Sequence, residues 1–65
     1  MVEYHIDDAT QYATIYRDGR PYATAIRRRI GQPGYEWEVF AVRGWRLFGA
    51  TTTDGLKRLI KAKIG

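Results

Sequence analysis

The sequence predicts an α+β fold in one domain, residues 1–65: a small antiparallel β-sheet of three to five strands packed on one C-terminal α-helix. Strand signals fill the chain to about residue 50, and Asp18-Gly19 sits between two of them as a hairpin turn. After Thr51 the apolar period changes to that of a helix. With 65 residues and no Cys, the chain has room for a single core and no disulfide to staple it.

Each element has its own signature. Residues 2–6 read as a first strand, broken by Asp7-Asp8. Residues 11–17 alternate, Asp18-Gly19 supplies the positive φ angles of a type I′ turn, and residues 20–29 run back. Uninterrupted pairing about that turn sets Ile15 opposite Tyr22, Ala13 opposite Thr24 and Gln11 opposite Ile26. Tyr12, Thr14, Tyr16, Ala23, Ala25 and Arg27 then share the other face, and Arg28 points away from them. Pro21 begins its strand, where a missing N–H is tolerated. Gly31-Gln32-Pro33-Gly34 reads as a turn, residues 35–42 as an aromatic and β-branched strand, and residues 45–50 as a short strand after Arg43-Gly44.

The helix is expected over about 52–64. Leu56, Leu59, Ile60 and Ile64 form one apolar stripe, with Lys57, Arg58, Lys61 and Lys63 turned to solvent. Thr51 is the expected N-cap, with Asp54 in the acidic position of a capping box. Gly55 weakens the first turn by about 1 kcal/mol relative to Ala, and close packing on the sheet is one reason for its presence.

One helix covers one face of a sheet, yet Trp37, Val39 and Ala41 alternate with Phe40 and Val42, and Trp45, Leu47 and Phe48 follow. Large apolar groups therefore fall on both faces, against the clean alternation of a half-solvated sheet. Three covers are open: the N-terminal segment folding across, a second copy or partner protein, or nucleic acid. A two-residue loop at Arg43-Gly44 places Phe40 and Val42 beside Trp45 and Leu47; a three-residue loop places them beside Arg46 and Phe48.

The chemistry-bearing residues point away from catalysis. The chain has no Ser or Cys for a nucleophile, and His5 is its one imidazole, so a zinc site would need carboxylates or a partner chain. His5 and Asp7 share a strand face, with Asp8 next, but this cluster reads as a polar loop. Glu36 and Glu38 read as counter-charges to arginines on a neighbouring strand. No catalytic residue, metal, cofactor or small-molecule substrate is expected. The apolar runs are too short to span a bilayer, and Met1 to His5 lacks the start of a signal peptide, so the expected location is cytoplasmic.

The net charge of +4 favours an acidic partner, nucleic acid first. Arg27, Arg28 and Arg29 end the second hairpin strand, and Arg17 and Arg20 flank its turn. With Tyr12, Thr14 and Tyr16 they make a candidate surface for phosphates and bases. The rival surface is apolar: Phe40, Val42, Trp45, Leu47 and Phe48 as the interface of a homodimer or of a complex with a host protein.

The order Tyr16-Arg17-Asp18-Gly19-Arg20, then Tyr35-Glu36-Trp37-Glu38-Val39, then Phe48-Gly49-Ala50-Thr51-Thr52-Thr53 into a helix resembles the AP2-like small DNA-binding domains of phage integrases. The resemblance covers about residues 11–64. It implies a three-stranded sheet laid in the DNA major groove, with Tyr12, Thr14, Tyr16 and Arg27 facing DNA and Arg17 and Arg20 on phosphate. A chain of this size also resembles the accessory proteins that phages make to bind host factors.

Overall fold

The computed structural model describes residues 1–28 and 34–65. Five strands form one antiparallel meander, in spatial order β1 (Val2–Asp7), β2 (Tyr12–Arg17), β3 (Arg20–Arg27), β4 (Trp37–Ala41) and β5 (Arg46–Ala50). A helix, α1 (Thr53–Leu59), continues into a π-helical turn, Ile60–Ile64. The α+β class expected from the sequence is the one observed. The sheet has two strands more than the resemblance implied. Of the predicted turn at 31–34, Gly34 has the positive φ of 106°, and the rest lies outside the described residues.

Asp18 (φ 52°) and Gly19 (φ 79°) make the expected tight turn, with Arg17 opposite Arg20. The register beyond it differs from expectation. Tyr16 pairs with Pro21 but Ile15 pairs with Ala23, so Tyr22 is an extra residue in a β-bulge. Pro21 has no N–H to give the ladder, and a bulge is where a strand tolerates that loss. The one-residue shift exchanges the faces of all that follows. Ala23 and Ala25 lie with Ala13 and Ile15, not with Tyr12 and Thr14.

The β4–β5 connection is the three-residue alternative. Gly44 N–H donates to the Ala41 carbonyl at 2.8 Å, and Gly44 takes φ 109°. Phe40 accordingly pairs with Arg46. A second bulge then leaves Leu47 unpaired, and Val39 pairs with Phe48.

The core is the face these shifts select. Ala13, Ile15, Ala23, Ala25, Trp37, Val39, Phe48 and Ala50 lie under Leu56, Ile60 and Ile64. The alanines let the helix approach closely, while Trp37, Ile15 and Phe48 supply bulk. In an α-helix a step of four residues overshoots one turn by about 40°. The wider π-helical turn opposes that drift, and Ile64 stays over the sheet with Leu56 and Ile60.

The helix starts one residue later than expected. Thr52 is the N-cap, its Oγ1 accepting from Gly55 N–H at 2.9 Å. The predicted capping box with Thr51 is absent, because the position that should reciprocate is Gly55. A Cβ there would meet Thr52 Oγ1 at 3.1 Å, so the glycine makes room for the cap hydroxyl and not for the sheet. Asp54 remains in the first turn, at the positive end of the helix.

The N-terminal segment does not cross the second face. It is β1, paired along its length with β2 at one edge of the sheet. Among the described residues, no element packs on the face opposite the helix, and no helix is long and apolar enough to cross a membrane.

Candidate nucleic-acid interface

Register assigns the uncovered face. Glu3, His5 and Asp7 come from β1, Tyr12, Thr14 and Tyr16 from β2, and Thr24 and Ile26 from β3. Glu38 and Phe40 follow from β4, with Arg46 from β5. Tyr12 and Ile26 are 49% and 41% exposed, and Thr14, Tyr16, Thr24 and Phe40 are half-buried. The expected trio Tyr12, Thr14 and Tyr16 is therefore together on one surface.

Arg27 is not with them. The bulge turns it to the helix side, where its guanidinium lies 5.5 Å from the Trp37 ring centre and 3.2 Å from Glu36. Glu36 also accepts from the Thr53 hydroxyl at 2.9 Å, and that hydroxyl accepts from Trp37 Nε1 at 3.0 Å. Arg27 thus closes a network that satisfies the buried indole N–H and ties β3 to the start of α1. Arg28 takes the open-face place expected for Arg27, with Glu38 at 3.0 Å. Glu38 also reaches Arg46 at 3.6 Å. Arg46 stacks on Tyr35, and a Cβ on Gly49 would sit 2.5 Å from that ring, so Tyr35 lies on bare backbone. Glu36 and Glu38 do counter neighbouring arginines, as expected, but from different faces. Arg29 lies outside the described residues.

These contacts sort the cations. Arg27, Arg28 and Arg46 are matched by Glu36 and Glu38. Among the described residues, Arg17, Arg20, Arg43, Lys57, Arg58, Lys61 and Lys63 have no carboxylate in ion-pair contact. Arg17 lies 5.6 Å from the Tyr22 ring centre. Asp18, between Arg17 and Arg20, is already engaged by the Met1 ammonium at 2.7 Å. That hydrogen bond and the adjacent positive charge hold the Asp18 carboxyl below its ordinary value.

The apolar candidate set is dispersed by the second bulge. Phe48 is in the core and Leu47 packs against its edge, while Phe40 is on the open face. Val42 and Trp45, 59% and 57% exposed, sit at the β4–β5 hairpin. His5 and Asp7 share the open face as expected, but Asp7 Oδ1 accepts from Ala9 N–H at 3.0 Å and Thr10 N–H at 3.4 Å. It shapes the β1–β2 loop, an ordinary aspartate turn role.

The role of Tyr22 was missed at the sequence level. It lines two adjoining recesses, one with Arg17, Arg20 and Pro21, the other with Val42, Arg43 and Trp45. The available signal was Pro21, one residue past a tight turn and unable to continue the ladder. Comparison of the chain with family models, characterised proteins and solved structures finds no match to any of them.

Proposed function

We propose that the chain is a small non-catalytic module that binds nucleic acid, DNA first, through the β2–β3 hairpin. One observation carries this reading: among the described residues the hairpin arginines Arg17 and Arg20 are held out with no carboxylate in ion-pair contact, whereas Arg27, Arg28 and Arg46 are matched by Glu36 and Glu38. Cations left unpaired on a basic protein are suited to phosphate. Tyr16, Thr14 and Tyr12 run from the hairpin down the open face and offer stacking and hydrogen-bonding groups there, while the register sets Arg17 and Arg20 on the side of Val2 and Tyr22. The reading keeps the hairpin expected from the sequence and drops Arg27 from it.

Titration of random duplex DNA against salt tests the proposal. The logarithm of the affinity falls linearly with log salt, and Arg17→Ala and Arg20→Ala each reduce the slope by about one. Absence of binding to duplex and single strands alike at low salt overturns the reading.

A second reading is association through the open face, with another copy of the chain or a host protein. It is favoured by exposed Ile26 and Tyr12 on a face where, among the described residues, the carboxylates of Glu3, Asp7 and Glu38 oppose the guanidiniums of Arg28 and Arg46, a balance unsuited to phosphate. Light scattering over a concentration range, repeated with Ile26→Glu, separates a self-associating chain from a monomer.

A further inference from the structure

We infer that the recess between the two hairpin tips receives an unpaired base, stacked against Trp45, while Arg17, Arg20 and Arg43 hold the flanking phosphates. This rests on the nucleic-acid reading above and specifies which part of the ligand the protein distinguishes.

The connections of a meander alternate ends, so the β2–β3 and β4–β5 hairpins leave the sheet at the same end. They are also tied together, Val42 N–H donating to the Tyr22 carbonyl at 3.2 Å. Between them lies a recess of ≈ 190 Å³ with Tyr22, Leu47 and Ala41 among its lining and Trp45 on its border. That is several times the ~30 Å³ share of one water molecule in the liquid and suits a flat heterocycle. Across Pro21 and Tyr22 it adjoins the wider recess of Arg17 and Arg20.

The occupant follows from charge. Arg43 lines this slot, and Arg17 and Arg20 line the adjoining recess together with Asp18; among the described residues none of the three arginines has a carboxylate in ion-pair contact. Asp18, the acid nearest Arg17 and Arg20 in sequence, is bound by the Met1 ammonium. An aromatic slot with a cationic rim is complementary to a base carrying phosphates on both sides. Bases in a duplex are stacked away, so the slot discriminates for single strands, overhangs and loops.

Wild-type protein and Trp45→Ala are titrated at low salt with a thymidine decamer, the same strand with abasic sites, and a blunt duplex, following tryptophan emission and anisotropy of a labelled strand. The decamer is expected to quench Trp45 and to bind about tenfold more tightly than the abasic strand. Trp45→Ala should bring the decamer to the abasic level with unchanged circular dichroism. The comparison with the abasic strand needs no variant, so it stands even if Trp45→Ala folds poorly. Equal binding of the decamer and the abasic strand by wild-type protein overturns the slot and leaves the nucleic-acid reading intact. No binding to any of the three removes both. Quenching by a tryptophan-bearing peptide but by no strand reassigns the slot to a protein partner and also overturns the inference.

Discussion

Arg27 lies over the indole of Trp37, 5.5 Å from the ring centre, on the helix side of the sheet. Its position makes it a framework residue. Arg27→Ala removes a cation–π contact and an ion pair whose side chains are 33% and 34% exposed, each worth up to about 1 kcal/mol at such sites. Urea denaturation should show a loss of about 1 kcal/mol, with the affinity for DNA changed far less than by Arg17→Ala.

Capping separates two adjacent threonines. Thr52 supplies the hydroxyl that accepts from Gly55 N–H, so Thr52→Ala should cost about 1 kcal/mol. Thr51→Ala should be close to neutral. Thermal melts of the two variants, followed at 222 nm, distinguish this start from one a residue earlier.

The helix is held by its stripe. Ile60 is fully buried over the sheet, and truncation of such a side chain to Ala costs about 2–5 kcal/mol. In a chain this small that is a large part of the ordinary reserve of about 5–15 kcal/mol. Ile60→Ala should therefore lower the denaturation midpoint steeply, while Ala62→Ser, on the exposed side, should leave it nearly unchanged.

Acid should release the β2–β3 tip from Met1 only below the ordinary carboxylate value. The folded Asp18 carboxyl titrates below its ordinary value of 3.8 because the Met1 ammonium bonds to it. A depressed folded pKa contributes stability above the unfolded value, and this is lost as pH falls through the folded one. An NMR titration of the Asp18 carboxyl should show the lowered midpoint, and N-terminal acetylation should return it toward 3.8.

The strands and the helix were legible because their periods are local properties. The apolar stripe Leu56, Ile60 and Ile64 lies where the spacing put it, and Asp18-Gly19 turns where its φ demands require. Faces were less legible, since they depend on counting residues through two bulges. One extra residue at Tyr22 moved Arg27 from the candidate interface to the framework and brought Arg28 to the open face. One at Leu47 divided the apolar set and left Phe48 in the core. The helix start slipped because three consecutive threonines precede Asp54, and only Thr52 meets an amide at the right distance. Of the candidate site, the hairpin arginines and the Tyr12, Thr14 and Tyr16 file were readable. The contact between the hairpin tips was not, because it joins residues about twenty apart in sequence through a strand pairing that the chain pattern alone does not specify.

Both bulges fall in the half of the sheet nearer the hairpin tips, and the regular pairing beneath the start of α1 is left alone. A bulge bends its strand and increases local twist, so the irregularity is concentrated away from the buried framework. The molecule is thereby divided into a regular half beneath the helix and a bulged half at the tips. The side chains of Arg43 and Trp45 are exposed at the tips, whereas Trp37, Leu56 and Ile60 are buried between the sheet and the helix. A library built on those tips would diversify recognition on an unchanged scaffold, as loop grafting does on larger proteins.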